Sequence, residues 1–160
     1  MQVSEDGSLR LSPSDVTAFL ACEHLTALQL RAARGEIATP DEENDQTELI
    51  KRKGLEHEAA YLDELKQQGL TVREISLDDD RDWERAQRET LEAMRNGVDI
   101  VYQGVFASDG WRGLADFLLR QPDGTYEPLD TKLARHAKPA AVLQLCFYSQ
   151  ELGRLSLHPS

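Results

Sequence analysis

The chain has almost no cysteine, no long apolar run, no apolar leader and no surplus of basic residues. Each shortage removes a class of protein. Cys22 and Cys146 are the only cysteines among 160 residues, too few for a disulfide framework, so a reducing cytoplasm is the expected setting. No apolar run approaches the roughly 20 residues that a helix needs to cross a bilayer, so no membrane association is expected. The opening residues Met1-Gln-Val-Ser-Glu-Asp are acidic and lack the apolar stretch of a secretory leader. Internal repeats and low-complexity segments are also missing. At this length one domain with a real core is expected, and two are not.

The net charge of −11 argues at first against a nucleic-acid partner. Its distribution weakens that objection. Residues 36–48 hold Glu36, Asp41, Glu42, Glu43, Asp45 and Glu48 with no base, and residues 78–84 hold five acids against Arg81. These two runs carry −6 and −4 of the total and read as solvated connectors. Any surface for a polyanion must therefore be local. Lys51, Arg52, Lys53, Arg135 and Lys138 are the local basic residues assigned to phosphate contact, although such side chains are ordinarily just solvated.

Ser12-Pro13-Ser14-Asp15 reads as a helix start. Ser12 caps, Pro13 suits the first helical position, and Asp15 favours the positive end of the helix dipole. Val16, Phe19, Leu20, Leu25, Leu28 and Leu30 extend the pattern as one helix to Gly35, and the acidic stretch around Pro40 reads as a loop. A second helix is expected over about residues 48–68 and a strand over 70–77. A third helix over about 81–95 stops at Asn96-Gly97. Three strands follow, at residues 98–107, 111–120 and 126–132, joined by turns at 108–110 and 122–124, which predicts an antiparallel meander. Residues 139–152 close the pattern as a helix. Helices, a run of strands and a helix give an α+β or mixed α/β fold. The expected organisation is an extended or disordered N-terminus at 1–10, a single domain at 11–155 and a tail at 156–160.

Asp116 lies among Leu114, Ala115, Phe117, Leu118 and Leu119, apolar on both sides, which suggests an interior strand. Asp130 and Lys132, two apart on the next strand, point to one face. Alone, an Asp-x-Lys pair is commonly a surface ion pair. Joined to Asp116 through a hairpin, the two carboxylates and one ammonium are costly in a mostly buried sheet unless a cation balances them. Such a set suits metal-dependent phosphodiester hydrolysis. His57, in Gly54-Leu-Glu-His57-Glu-Ala-Ala-Tyr61, is by itself more often a surface histidine than a ligand. Gln144 and Tyr148, four apart, share a helix face. Two readings of them stay open: packing and backbone satisfaction, or orienting the catalytic strand and contacting substrate.

Gly113-Leu-Ala-Asp116, Asp130-Thr-Lys132 and Gln144-x-x-x-Tyr148, preceded by Gly54-x-x-His57, resemble the motifs of the RecB-like nuclease family in the PD-(D/E)XK nuclease superfamily. The segment from Leu11 to Leu25 is similar to that family's N-terminal portion, and the resemblance runs from about residue 9 to residue 155. It implies a restriction-endonuclease-like core, a central mixed sheet flanked by helices, and a divalent-metal-dependent deoxyribonuclease acting on single-stranded DNA or DNA ends. It further implies that Asp116, Asp130 and His57 ligate Mg²⁺ or Mn²⁺, with the Thr131 carbonyl as a further ligand. Lys132 would serve the attacking water, and Gln144 with Tyr148 would support the site or contact substrate.

The pattern departs from the family twice. Some relatives hold an iron–sulfur cluster on four cysteines, whereas here only Cys22 matches, so no cluster is expected and Cys22 reads as a small buried apolar residue. Relatives also carry a last core strand after the Gln–Tyr helix, and beyond that helix the sequence offers only Leu155-Ser-Leu157. The alternative to an enzyme is a non-catalytic nucleic-acid-binding or interaction module on the same scaffold, standing alone or with further domains or subunits.

Overall fold

The computed structural model describes residues 1–4, 7–38, 45–77, 82–108, 110–131 and 138–155. Its described part is a mixed α/β fold with five helices, a four-stranded mixed sheet and a short N-terminal ribbon. The ribbon pairs β1 (Gln2–Val3) with β2 (Leu9–Arg10) antiparallel, so the first ten residues are extended and partly paired. Leu11 then bridges Trp111 in parallel, which ties the N-terminal segment to the sheet.

Helix α1 (Pro13–Ala21) begins as its sequence dictates. The Asp15 carboxylate accepts from the Ser12 N–H at 2.8 Å and from the Ser12 hydroxyl at 2.7 Å. It also pairs with the N-terminal ammonium at 2.6 Å. The single helix expected as far as Gly35 is in fact two. Cys22 adopts an extended conformation (φ −163°, ψ 105°) and caps α2 (Glu23–Ala33), its sulfur accepting from the Leu25 N–H at 3.4 Å. Cys22 is exposed, not buried, because it stands at the junction between α1 and α2, where its sulfur serves as an exposed cap.

Helix α3 (Asp45–Gln67) ends before Gly69, whose φ of +81° is the left-handed stop expected there. Strand β3 (Val72–Glu74) is shorter than its alternating pattern suggests. Helix α4 (Trp83–Arg95) is capped by Asp82, whose Oδ1 accepts from the Arg85 N–H at 2.8 Å. The second acidic run thus supplies a cap and a first-turn Glu84 to α4. Ala86, Thr90, Ala93 and Met94 form the buried stripe of α4 at helical spacing.

Strands β4 (Ile100–Ser108), β5 (Trp111–Arg120) and β6 (Tyr126–Leu129) form the expected antiparallel meander, and β3 joins β4 in parallel. The order β3-β4-β5-β6 makes β5 an interior strand. Side chains alternate between two cores, as the pleat requires. Ile100 and Phe117 pack with Leu62 and Leu65 of α3 on one face. Val101 and Leu118 pack with Ala86, Ala93 and Met94 of α4 on the other, where Tyr148 and Leu152 of α5 (Pro139–Arg154) also lie. The central sheet is therefore covered by helices on both faces. No described helix is long and apolar enough to cross a membrane.

Candidate functional site

Asp116 sits in the middle of β5 and is half-buried. Asp130 was expected inside a strand running to residue 132, but β6 ends at Leu129, so Asp130 and Thr131 follow the strand. Pro128 is itself paired, opposite Leu118, and the ladder closes at Phe117↔Leu129. One step further along both chains stand Asp116 and Asp130, at the point where pairing stops. Lys132 and Arg135 lie outside the described residues.

Helix α5 closes this place. Gln144 and Tyr148, one turn apart, line a cavity of about 200 Å³ together with Asp116 and Asp130, between Leu114 and Leu129. The Tyr148 hydroxyl donates to the Leu114 carbonyl at 2.6 Å. Burial pushes the Tyr148 phenol above its ordinary value, and the charges of Asp116 and Asp130 push it further. Gly113 permits the approach of α5, since a Cβ there would stand 2.8 Å from Tyr148 Cε1. A larger hollow of about 300 Å³, between α1, Trp111 and α5, contains none of the candidate residues.

His57 is not where the resemblance would have it. The buried stripe of α3 contains Leu62 and Leu65, and one turn before Leu62 comes Glu58, which is 9 % exposed. His57, about 100° around the helix from Glu58, is exposed. Among the described residues no three of His, Cys, Asp and Glu are grouped closely enough to hold an ion. The ligand set His57–Asp116–Asp130 is thus not assembled in the described structure. Thr131 is half-buried, and its Oγ1 is buried without a hydrogen-bond partner among the described residues.

Among the described basic residues, Lys51, Arg52, Lys53 and Lys138 do not line the cavity. Lys51, Arg52 and Lys53 are exposed on α3, where Glu56 engages Lys53 at 2.7 Å and Arg52 at 3.8 Å. Exposed pairs of this kind contribute little. Lys138 is exposed and precedes α5 as its N-cap.

Sequence reading passed over Glu58, Tyr102 and Gln103. The Gln103 amide donates from Nε2 to Glu58 Oε1 at 2.5 Å. Burial raises the Tyr102 phenol to about 12, with hydrogen bonding to Glu58 and the charges of Glu58 and Asp116 adding to the rise. Gln103 has φ +57° and is the one described non-glycine residue at positive φ, a conformation that costs about 1–3 kcal/mol. The available signal was Gln103-Gly104 interrupting Val101 and Val105: an isolated glycine within a strand pattern marks a distortion or a close approach.

The arrangement offers hard carboxylate oxygens from β5 and from the end of β6, a helix amide and a phenol around a small polar cavity. Such oxygens suit Mg²⁺ or Mn²⁺, which favour oxygen donors. No family model, curated protein or solved structure matches the chain.

Proposed function

We propose that this chain is a divalent-metal-dependent nuclease that hydrolyses phosphodiester bonds of DNA on a restriction-endonuclease-like core. One observation carries the reading: Asp116, Asp130, Gln144 and Tyr148, from three separate elements, line the same cavity. The antiparallel meander and the helix laid against it supply the supporting topology.

Asp116 and Asp130 would hold Mg²⁺ or Mn²⁺, with the Thr131 carbonyl as a further oxygen donor. When bound, the ion supplies a lowered pKa for water and charge neutralisation at phosphorus. The remaining work falls to the chain's own side chains. Asp116, fixed on an interior strand, sets the position of the acidic pair. Tyr148 braces β5 through the Leu114 carbonyl and excludes water from one wall. The Gln144 amide can accept from or donate to a substrate strand entering the cavity. Lys132 is the amine that the sequence places two residues after Asp130, suited to orienting the attacking water and taking up charge on the departing oxygen.

A second reading, a non-catalytic nucleic-acid-binding or interaction module, draws support from the exposed position of His57 and the exposed, partly engaged basic residues of α3. Purified chain with MnCl₂ and labelled single-stranded and duplex DNA separates the two. Cleavage that is lost in Asp116→Ala, Asp130→Ala and Lys132→Ala, each still folded by circular dichroism, is expected of the nuclease. Binding without turnover in the unmutated chain supports the module and sinks the nuclease.

A further inference from the structure

Gln103 stands across the β4–β5 ladder from Asp116. Tyr102↔Phe117 and Gly104↔Ala115 pair on either side, and the register runs unbroken between them. At Gln103 itself the backbone is turned left-handed, with φ +57°. The position of Asp116 in the sheet therefore depends in part on how Gln103, the residue facing it, is held.

The side chain of Gln103 answers this. Its Nε2 reaches Glu58 Oε1 at 2.5 Å, across from strand to helix. Glu58 is 9 % exposed, on the face of α3 that also packs Leu62 and Leu65 against the sheet. Burial, the nearby Glu58 carboxylate and the charge of Asp116 together raise the Tyr102 phenol. Tyr102 is itself held against Phe117, the residue after Asp116, with ring centroids 5.1 Å apart. Strain at a non-glycine residue persists only where its surroundings over-determine it, and here the buried carboxylate does so.

We infer that Gln103 and Glu58 are positioning residues: a strained strand residue, tethered to a buried helix carboxylate, fixes the acidic pair from the side opposite α5. This role rests on the nuclease reading of Asp116. It also reassigns the chemistry of the α3 motif, giving the inward task to Glu58 and not to His57. Glu58 acts as a hydrogen-bond acceptor in this arrangement, so its charge is dispensable and its oxygen is not.

The test uses the full chain, with the Asp116 side-chain carboxyl followed by ¹³C NMR without metal and Mn²⁺ affinity measured by calorimetry. Gln103→Gly accepts the left-handed conformation and removes the tether. It is expected to leave the metal-free melting temperature nearly unchanged, to shift or broaden the Asp116 resonance, and to weaken Mn²⁺ binding about tenfold to a hundredfold, the usual scale for groups that orient ligands. Glu58→Ala should match it, and Glu58→Gln, which keeps an acceptor oxygen, should restore both readouts. An unmoved Asp116 resonance and an unchanged Mn²⁺ affinity in Gln103→Gly overturn the inference and leave the nuclease reading in place. Equal losses in Glu58→Gln and Glu58→Ala also overturn it, since the charge would then be what matters. If the unmutated chain takes up no Mn²⁺ while Gln103→Gly still perturbs Asp116, the tether stands and the nuclease reading falls.

Discussion

Gly113→Ala tests how closely α5 must approach β5 to complete the cavity. A methyl group at this position would lie 2.8 Å from Tyr148 Cε1, 3.2 Å from its hydroxyl oxygen and 3.4 Å from Phe147 Cε1. The Tyr148 ring has little room to yield, because it packs against Phe106 at 5.7 Å and against Phe147 at 5.4 Å between centroids. Forcing an extra methyl into such packing costs about 1–3 kcal/mol. Displacing the phenol also endangers its 2.6 Å hydrogen bond to Leu114, a further 0.5–1.5 kcal/mol or so. The expected loss is about 2–4 kcal/mol, or a melting temperature lower by roughly 4–16 °C for a chain of this size. Urea unfolding followed by circular dichroism measures it. In a Tyr148→Ala background the same substitution should cost much less, giving a coupling of about 1–3 kcal/mol. A Gly113→Ala protein within about 0.5 kcal/mol of the original, a change typical of surface positions, would refute the steric argument, as would an undiminished cost without the tyrosine.

Two further outcomes follow from buried polar groups elsewhere. Thr90, with no exposed surface, donates to the Ala86 carbonyl and accepts from the Val105 N–H, each at 2.9 Å. Thr90→Val strands the Val105 donor between α4 and β4 and should cost about 1–3 kcal/mol in urea unfolding. Burial pushes the Asp15 carboxyl up, but hydrogen bonds from the N-terminal ammonium and Ser12 outweigh it and hold the group below its ordinary value. A depressed acid stabilises the fold above its unfolded pKa, and that stability is lost as pH falls through the folded value. Asp15→Asn should therefore lower stability at neutral pH by about 1–3 kcal/mol. It should also flatten the decline between about pH 5 and pH 3 in a pH series of thermal melts.

Local chemistry made much of the fold legible. The strand at 111–120 was readable to the residue because turn residues bound it and apolar side chains fill both of its faces. Ser12-Pro13 and Asn96-Gly97 marked helix ends because their backbone preferences act within a few residues. Asp123 behaves likewise, its Oδ1 accepting from the Thr125 N–H at 2.9 Å inside the expected turn. Asp116, Asp130, Gln144 and Tyr148 could be paired from spacing and resemblance, and they do line one cavity. What escaped depends on contacts distant in sequence. Cys22 breaks a helix whose periodicity continues through it, and periodicity does not record a change of axis. The choice between His57 and Glu58 is a matter of about 100° of helix rotation, decided by how Leu62 and Leu65 seat on Phe117 and Ile100. The left-handed turn at Gln103 has no cause within its own strand, since its partner Glu58 lies 45 residues away.

Helix α2 buries none of its described side chains, while Phe117 and Leu118, the two residues after Asp116, have no exposed surface. A structure built so unevenly opens in stages. Peeling away α2 would uncover only half-buried side chains and leave the acid-bearing strand clamped between its neighbours, whereas reaching that strand means dismantling both cores together. The chain therefore keeps its stiffest ground beneath the carboxylates and looser ground at α2, which can be remodelled at little expense to the chemistry.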